Sequence, residues 1–369
     1  MSTGDVTEQD RRFMAAAFGL GTRELGRTWP NPAVGAIVVR DGRLVGRGWT
    51  QAGGRPHGEP LALAEAGELA RGATLYVTLE PCSHHGKTPP CCDAIIAAGI
   101  ARVVAAMPDP NPLVGGQGYA RLRAAGIEVV EALLEDEARR QHAGHISRIL
   151  KQRPHVLLKL AVSADNKAGF SGRETAITGE AVRRRVHMLR ARHDAIAVGI
   201  GTVLADDPTL TCRLPGMEGR SPLRVVFDPG LLLPLDSQLV LTAAEHPVLV
   251  LTSAGVPEAA ADALRQRGVE VIAASDSTGE VISLPAAMAV LNERGITRLM
   301  VEGGPRLAAA LLKADLVDRA VIFESETVLG DGALAALPER HEHALPKAGL
   351  RLSHGVRIGS DTAFHYERG

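Results

Sequence analysis

Aromatic side chains are scarce in this chain: Phe, Trp and Tyr together make up 3% of its 369 residues. Its interior must therefore rest on Val, Leu, Ile and Ala, within a hydrophobic content of 45% that is ample for sizeable cores. Cysteine is scarce as well. Cys82, Cys91, Cys92 and Cys212 in so long a chain do not make a disulfide framework, and a reducing cytoplasm is the expected setting. No run of about 18 apolar residues occurs, so no spanning helix and no membrane partner are expected. The opening M-S-T-G-D-V-T-E-Q-D is polar and acidic, unlike a signal peptide. Charge of neither sign dominates. A formal net charge of −1 argues against a nucleic-acid surface built on bulk charge, although local Arg clusters remain available for phosphate.

The length predicts two domains. In the first 150 residues strand and helix signals alternate. Phe13, Met14, Ala17 and Phe18 lie at helical spacing over Asp10–Leu20. Val34–Val39 and Leu44–Trp49 read as strands joined by Asp41-Gly42, a strong hairpin signal. Helices are expected over Pro60–Ala70, Pro90–Ala98, Gly118–Ala125 and Glu135–Leu150, and strands over Ala73–Leu79, Arg102–Met107 and Ile127–Val130. That alternation predicts an α/β layer with a largely parallel sheet. Lys151-Gln152-Arg153-Pro154 reads as a boundary, giving domains 1–150 and 151–369. A second α/β series follows. Its strands are His155–Val162, Ala195–Val198, Leu223–Phe227, Val248–Leu251 and Arg298–Val301. Its helices are Glu180–Arg192, Pro257–Arg267, Leu284–Arg294 and Pro305–Ala314.

The chemistry concentrates in R-P-H-G-E-P at 55–60 and L-E-P-C-S-H-H-G-K-T-P-P-C-C at 79–92. His57, Cys82 and Cys91 form an imidazole-plus-two-thiolate set that suits zinc. Three protein ligands leave a fourth position for water, whose pKa then falls towards about 7. Glu59, two residues after the histidine, is placed to shuttle the proton. The order H-x-E, then P-C…C, is that of the zinc deaminases. A closed structural zinc site needs a fourth protein ligand, for which His84, His85 and Cys92 are available. The unliganded carboxylate of Glu59 has no use in such a site.

Together with N-P-x-V-G (Asn31–Gly35) and D-P-N-P (Asp109–Pro112), these stretches resemble the bifunctional riboflavin-biosynthesis deaminase/reductase family. Eight residues separate the two cysteines, and this long insert sets the family apart from other zinc deaminases, whose cysteines are two apart. The resemblance implies a cytidine-deaminase-like α/β/α domain followed by a dihydrofolate-reductase-like α/β domain. It implies zinc on His57, Cys82 and Cys91, Glu59 as proton shuttle, and substrate contacts at Asn31, His84, Lys87 and Asn111. Asn-Pro pairs also favour turns in their own right, which is the plainer role for Asn31 and Asn111. Thr50 stands where the family often has a substrate-contacting histidine, and Gly58 where alanine is usual.

The likeness continues through L-K-L-A-V-S-A-D-N-K (158–167), A-I-T-G-E (176–180), V-G-I-G-T-V-L-A-D-D-P-T-L-T-C-R (198–213) and V-E-G-G-P (301–305). It implies NADPH as cofactor, contacted at Ala161, Ala176, Thr202, Asp206 and Gly304 onward. It also implies reductase substrate contacts at Arg190, Leu210, Arg213 and Glu302. Guanidinium forks match phosphate oxygens, so Arg190 and Arg213 are sensible phosphate ligands. By charge alone Arg190 would belong to a solvated helix face, beside Arg183, Arg184 and Arg185. Asn166 stands where glycine is usual, and asparagine tolerates positive φ.

The implied function is two consecutive reactions on one small phosphorylated pyrimidine: hydrolytic deamination, then NADPH-dependent reduction of the ribosyl to the ribityl chain. The substrate implied is 2,5-diamino-6-ribosylamino-4(3H)-pyrimidinone 5′-phosphate, and a homo-oligomer is implied too. Four alternatives stand beside it. They are a deaminase with an inactive or sensing C-terminal domain, a deaminase of free bases or nucleosides, a tRNA deaminase, and a zinc-stabilised scaffold.

Overall fold

The computed structural model describes residues 6–86 and 88–368. The chain divides into two compact units, Met1–Arg153 and Pro154–Gly369.

The first unit opens with α1 (Glu8–Gly21). Thr7 caps it in a capping box with Asp10, and its inner face buries Met14 and Ala17. β1 (Gly35–Arg40) and β2 (Arg43–Trp49) form a hairpin. Asp41 and Gly42 turn it with φ of +50° and +71°, which is why the Asp-Gly pair is there. Then come α2 (Gly58–Ala66), β3 (Thr74–Val77), α3 (Cys91–Ala97), β4 (Arg102–Ala105), α4 (Gln117–Ala124) and β5 (Glu128–Val130). α5 (Glu135–Gln141) and α6 (Ala143–Leu150) replace the single helix expected over 135–150. The break falls at His142, whose ring leaves the helical run to bond the Thr78 carbonyl at 3.0 Å.

The sheet runs β2-β1-β3-β4-β5. It is mixed rather than largely parallel: β1 is antiparallel to both neighbours, and β3, β4 and β5 are parallel. The hairpin forces this, because two strands joined by a two-residue turn must run in opposite directions. Consecutive residues of β1, β3 and β4 are buried, so both faces of the sheet are covered.

Two glycines of β2 set the position of α2. A Cβ on Gly46 or Gly48 would run into the carbonyl oxygens of Ala62 and Gly58. Helix backbone thus lies directly on the strand, and the start of α2 is held close to β2.

The second unit contains β6 (His155–Val162), β7 (Lys167–Gly169), α7 (Glu180–Ala191), β8 (Ala195–Gly199), α8 (Ile200–Asp206) and β9 (Leu223–Phe227). It continues with the short α9 (Gln238–Leu241), β10 (Val248–Thr252), α10 (Glu258–Arg265), β11 (Glu270–Ala273), α11 (Leu284–Glu293) and β12 (Arg298–Val301). The last elements are α12 (Pro305–Lys313), β13 (Arg319–Glu324), β14 (Leu334–Ala335), α13 (His341–Lys347), β15 (Leu350–Ile358) and β16 (Asp361–Arg368).

Nine strands make one sheet in the order β11-β10-β9-β8-β12-β6-β13-β16-β15. Every neighbouring pair is parallel except β13–β16 and β16–β15, so β16 runs against the rest, and the apolar runs fill the core: Val225, Val226, Leu249, Val250, Leu299 and Met300 are fully buried. β12 returns to lie between β8 and β6, so the chain reverses its order across the sheet there. A crevice outside the carboxyl ends of the strands is the expected ligand position at such a reversal.

Candidate active sites

In the first unit, the ends of three elements converge. His57 caps α2, Cys82 follows β3, and Cys91 opens α3. His57 Nδ1 lies 3.3 Å from Cys91 Sγ and 3.9 Å from Cys82 Sγ. Bond lengths of about 2.0–2.3 Å in a tetrahedral zinc site place such donors about 3.5–3.8 Å apart. The three donor atoms thus have the size of a zinc site, with Nδ1 as the nitrogen that faces the metal. Among the described residues, no fourth side chain joins this cluster. His84 and His85 are exposed, and His85 faces Asp93. Cys92 is buried, with its thiol on the carbonyls of Pro81 and Gly118. Lys87 lies outside the described residues.

The electrostatics suit a cation. The Cys91 thiol, donating to it, holds Cys82 well below the usual thiol range against burial. Cys91, facing that sulfur and buried, is pushed up. Two thiols sharing one proton need a positive charge to ionise together, and a coordinated metal supplies it. The Cys91 backbone N–H also donates to Cys82 Sγ at 3.3 Å.

Glu59 sits in the first turn of α2, 3% exposed. Burial raises its carboxyl above the ordinary range, against the pull of His57. Among the described residues, its buried Oε2 has no hydrogen-bond partner. Such an atom is costly in a purely structural setting, and it is what a site awaiting a proton-bearing ligand requires.

Asn31 reaches the cluster. Its Nδ2 donates to the Gly54 carbonyl at 2.8 Å and lies 3.5 Å from His57 Nε2, and its Oδ1 meets no donor among the described residues. Thr50 does not present its hydroxyl as a histidine would. It is buried, and its Oγ1 accepts from the Val34 N–H at 3.1 Å, bracing the segment after Asn31. Asn111 performs turn chemistry with its Oδ1, which accepts from the Leu113 N–H at 3.0 Å. Its Nδ2 has no partner among the described residues.

In the second unit, Glu302 follows β12 and Thr202 lies in α8, which follows β8. The Glu302 N–H donates to the Ala197 carbonyl at 3.0 Å, which aligns the two strand ends. Gly304 caps α12, and a Cβ there would stand 3.3 Å from Thr202 Oγ1. A side chain at 304 would crowd Thr202, and the start of α12, whose first N–H groups find no partner within the helix, is of the kind that takes phosphate. Ala161 is on β6, Ala176 is in the exposed loop before α7, and Asp206 ends α8. Leu210 is buried with φ +55°, a strained backbone for a leucine.

Arg190 is not on a solvated face. Its side chain is 12% exposed and grips Glu302, Nε to Oε1 at 2.7 Å and Nη2 to Oε2 at 3.0 Å. Nη1 donates to the Thr211 carbonyl at 3.1 Å. Burial alone would raise the Glu302 pKa, but Arg190 and Lys159 hold it down at about 2. Lys159, on β6, went unnoticed in the sequence because a single lysine in an apolar strand has no spacing to mark it. It stands 3.5 Å from Glu302 Oε2. Arg213 is exposed, with one guanidinium nitrogen on Thr209 Oγ1.

The fold and the first site define a zinc-dependent hydrolytic deaminase joined to a second α/β catalytic unit. Comparison with known proteins narrows this. The cytidine and deoxycytidylate deaminase zinc-binding region matches residues 7–107, and the RibD C-terminal domain matches 154–364. The riboflavin biosynthesis protein RibD of Aquifex aeolicus is 43% identical over 89% of this chain and 90% of its own. That of Escherichia coli is 41% identical over 89% and 92%. The solved structure of Acinetobacter baumannii RibD superposes with a TM-score of 0.86 at 35% identity, covering 98% of this chain and 99% of that one. The Thermotoga maritima structure, a diaminohydroxyphosphoribosylaminopyrimidine deaminase/5-amino-6-(5-phosphoribosylamino)uracil reductase, superposes at 0.84 with 36% identity and the same coverage. The chain belongs to the bifunctional riboflavin-biosynthesis deaminase/reductase family. It is a hydrolase and an oxidoreductase acting on a small phosphorylated substrate, with zinc in the deaminase half and NADPH in the reductase half. Among the described residues, no helix is long and apolar enough to cross a membrane.

Proposed function

We propose that this enzyme deaminates 2,5-diamino-6-ribosylamino-4(3H)-pyrimidinone 5′-phosphate in its first domain, residues 1–150, and reduces the product in its second, 151–369. The single observation that carries the first step is the buried, unpartnered Glu59 Oε2 beside a three-donor His/Cys cluster. Zinc, when bound to His57, Cys82 and Cys91, supplies a Lewis acid that makes water nucleophilic at neutral pH. Glu59 takes a proton from the attacking water and returns it to the leaving nitrogen. The C–N bond breaks, a C=O bond forms, and ammonia departs. Burial suits Glu59 to both tasks, because a raised pKa lets it carry the proton between them.

Asn31 Oδ1 accepts from an N–H of the pyrimidine, Asn111 Nδ2 donates to one of its acceptor atoms, His84 is a further substrate contact, and Lys87 is the cation for the ribose phosphate. In the second domain, Gly304 and Thr202 seat NADPH with Ala161, Ala176 and Asp206 along its length. NADPH, when bound, supplies the hydride that opens the ribosyl ring to the ribityl chain. Glu302, locked by Arg190, and Leu210 shape the substrate side. Of the two arginines, Arg213 has the free guanidinium for the phosphate, and Arg190 serves by holding Glu302. The enzyme works as a homo-oligomer in the cytoplasm.

Glu59→Gln tests the reading. Ammonia release should fall by about 10²–10⁴-fold with zinc content intact and with reduction of supplied deaminated intermediate unchanged. Unchanged ammonia release would remove Glu59 from the mechanism.

A further inference from the structure

Glu80 is 5% exposed, and no step of the mechanism uses it. It lies between β3 and Cys82, with its own N–H on the Met107 carbonyl at 2.9 Å. Its carboxylate accepts from four backbone amides. Oε2 takes Asp109 N–H at 2.9 Å and Gly116 N–H at 2.9 Å. Oε1 takes Gly118 N–H at 2.8 Å and Tyr119 N–H at 3.4 Å. Charge-assisted bonds of this kind are the strong ones, and the carboxylate also faces the start of α4, where negative charge is favoured.

These four amides lie at the two ends of one segment, Asp109 at its start and Gly116, Gly118 and Tyr119 where it runs into α4, and that loop carries Asn111. The connection continues inward: Asp109 Oδ1 accepts from the Asn111 N–H at 2.8 Å, and Asn111 Oδ1 then accepts from Leu113 N–H. With its backbone and Oδ1 both fixed, only Asn111 Nδ2 is left to face outward. There is no slack on the other side either, since a Cβ on Gly118 would strike the Pro81 carbonyl. One side chain thus ties the substrate loop to the strand end that bears a metal ligand.

We propose that Glu80 is a positioning residue for deamination: it fixes the loop bearing Asn111 relative to Cys82, and so sets how the pyrimidine lies over the metal cluster. This rests on Asn111 being a substrate contact. In Glu80→Gln an NH₂ group replaces Oε2, so the Asp109 and Gly116 amides lose their shared acceptor and the tie between the two ends of the loop is broken there.

The test uses the full-length, zinc-loaded enzyme. In Glu80→Gln, KM for the pyrimidine should rise about tenfold and kcat should stay within about threefold. Zinc should remain at one per chain. Hydrogen exchange should quicken at the Asp109 and Gly116 amides, and reduction of supplied intermediate should be unaffected. In the Glu80→Gln/Asn111→Ala double variant KM should be no higher than in Asn111→Ala alone, because the two act in series. An unchanged KM in Glu80→Gln beside a raised KM in Asn111→Ala overturns the proposal and leaves the deaminase reading standing. So do loss of zinc, a fall in kcat at constant KM, or additive effects in the double variant. An unchanged KM in Asn111→Ala overturns both that contact and this proposal. If Glu80→Gln does not fold, Glu80→Asp, shorter but still charged, carries the same cycle and the same outcomes.

Discussion

Replacing Arg190 by Met isolates the buried pair that organises the reductase site. In the native protein Glu302 is 11% exposed and its carboxyl is held at about 2 instead of the ordinary 4.5. At about 1.4 kcal/mol per pH unit, that depression corresponds to about 3 kcal/mol of stability at neutral pH. Lys159, at 3.5 Å, supplies the smaller part. Arg190→Met should therefore cost about 2–3 kcal/mol at pH 7, since the buried carboxylate then keeps only the longer contact to Lys159. The sign with pH follows. A carboxyl depressed on folding stabilises above its unfolded pKa, and that stability is lost as pH falls from 4.5 towards 2. The gap between native protein and variant should thus be widest near pH 7 and close in acid. Arg190→Met/Glu302→Gln should recover part of the loss, because the buried carboxylate is gone and the Lys159 ammonium is the one charge that loses its partner. Trp29 and Trp49 are the only tryptophans and both lie in the first unit. Urea unfolding followed by fluorescence therefore reports that unit alone, and circular dichroism adds the second. A loss under about 1 kcal/mol, or a single variant as stable as the double, would refute the claim that Arg190 works through Glu302.

Cys82→Ser should drop zinc content from about one per chain to near zero and abolish ammonia release, because serine does not ionise to a ligand; Cys92→Ser should keep its zinc. His193 is buried, and burial lowers its pKa to about 3. A histidine depressed on folding stabilises above its unfolded pKa near 6.5 and costs stability as pH falls below it, so the native protein loses about 2 kcal/mol through this residue between pH 7 and pH 5. In His193→Gln that share of the acid sensitivity should vanish from chemical-denaturation curves. Asn166 holds φ +60° and donates from Nδ2 to the Leu337 carbonyl at 3.2 Å. Asn166→Ala should cost about 1–2 kcal/mol, and Asn166→Gly about half that, by the same measurement; equal losses would show that the turn strain is not what matters.

Legibility varied along the chain for identifiable reasons. The His57, Cys82 and Cys91 cluster and the neighbouring Glu59 could be picked out in the sequence because their spacing is covalent: His57 and Glu59 are two residues apart, and the cysteines flank one insert. The β1–β2 turn was readable from Asp41-Gly42 because that pair favours one backbone shape. The C-terminal hairpin was not. β15 exposes nearly all its residues, so no apolar alternation marks it, and it is held by pairing with β16 instead. Arg224 was equally hidden. It lies inside the expected strand Leu223–Phe227 and is fully buried on β9, with its guanidinium on the carbonyls of Thr209, Leu239 and Thr242. Burial lowers its pKa to about 10, and among the described residues no carboxylate pairs with it.

By itself the order of residues decided which chemistry this protein can perform. Soft donors, a nearby carboxylate and two Asn-Pro loops are local facts, and local facts survive without coordinates. Tertiary structure decided which partner each group meets: Arg190 with Glu302 across 112 residues, Glu80 with amides up to 39 residues away, Nδ1 of His57 with both sulfurs. Those pairings depend on how strands from distant segments line up. Hydrogen-bond geometry is set to tenths of an ångström by that alignment, and no spacing in the chain encodes it.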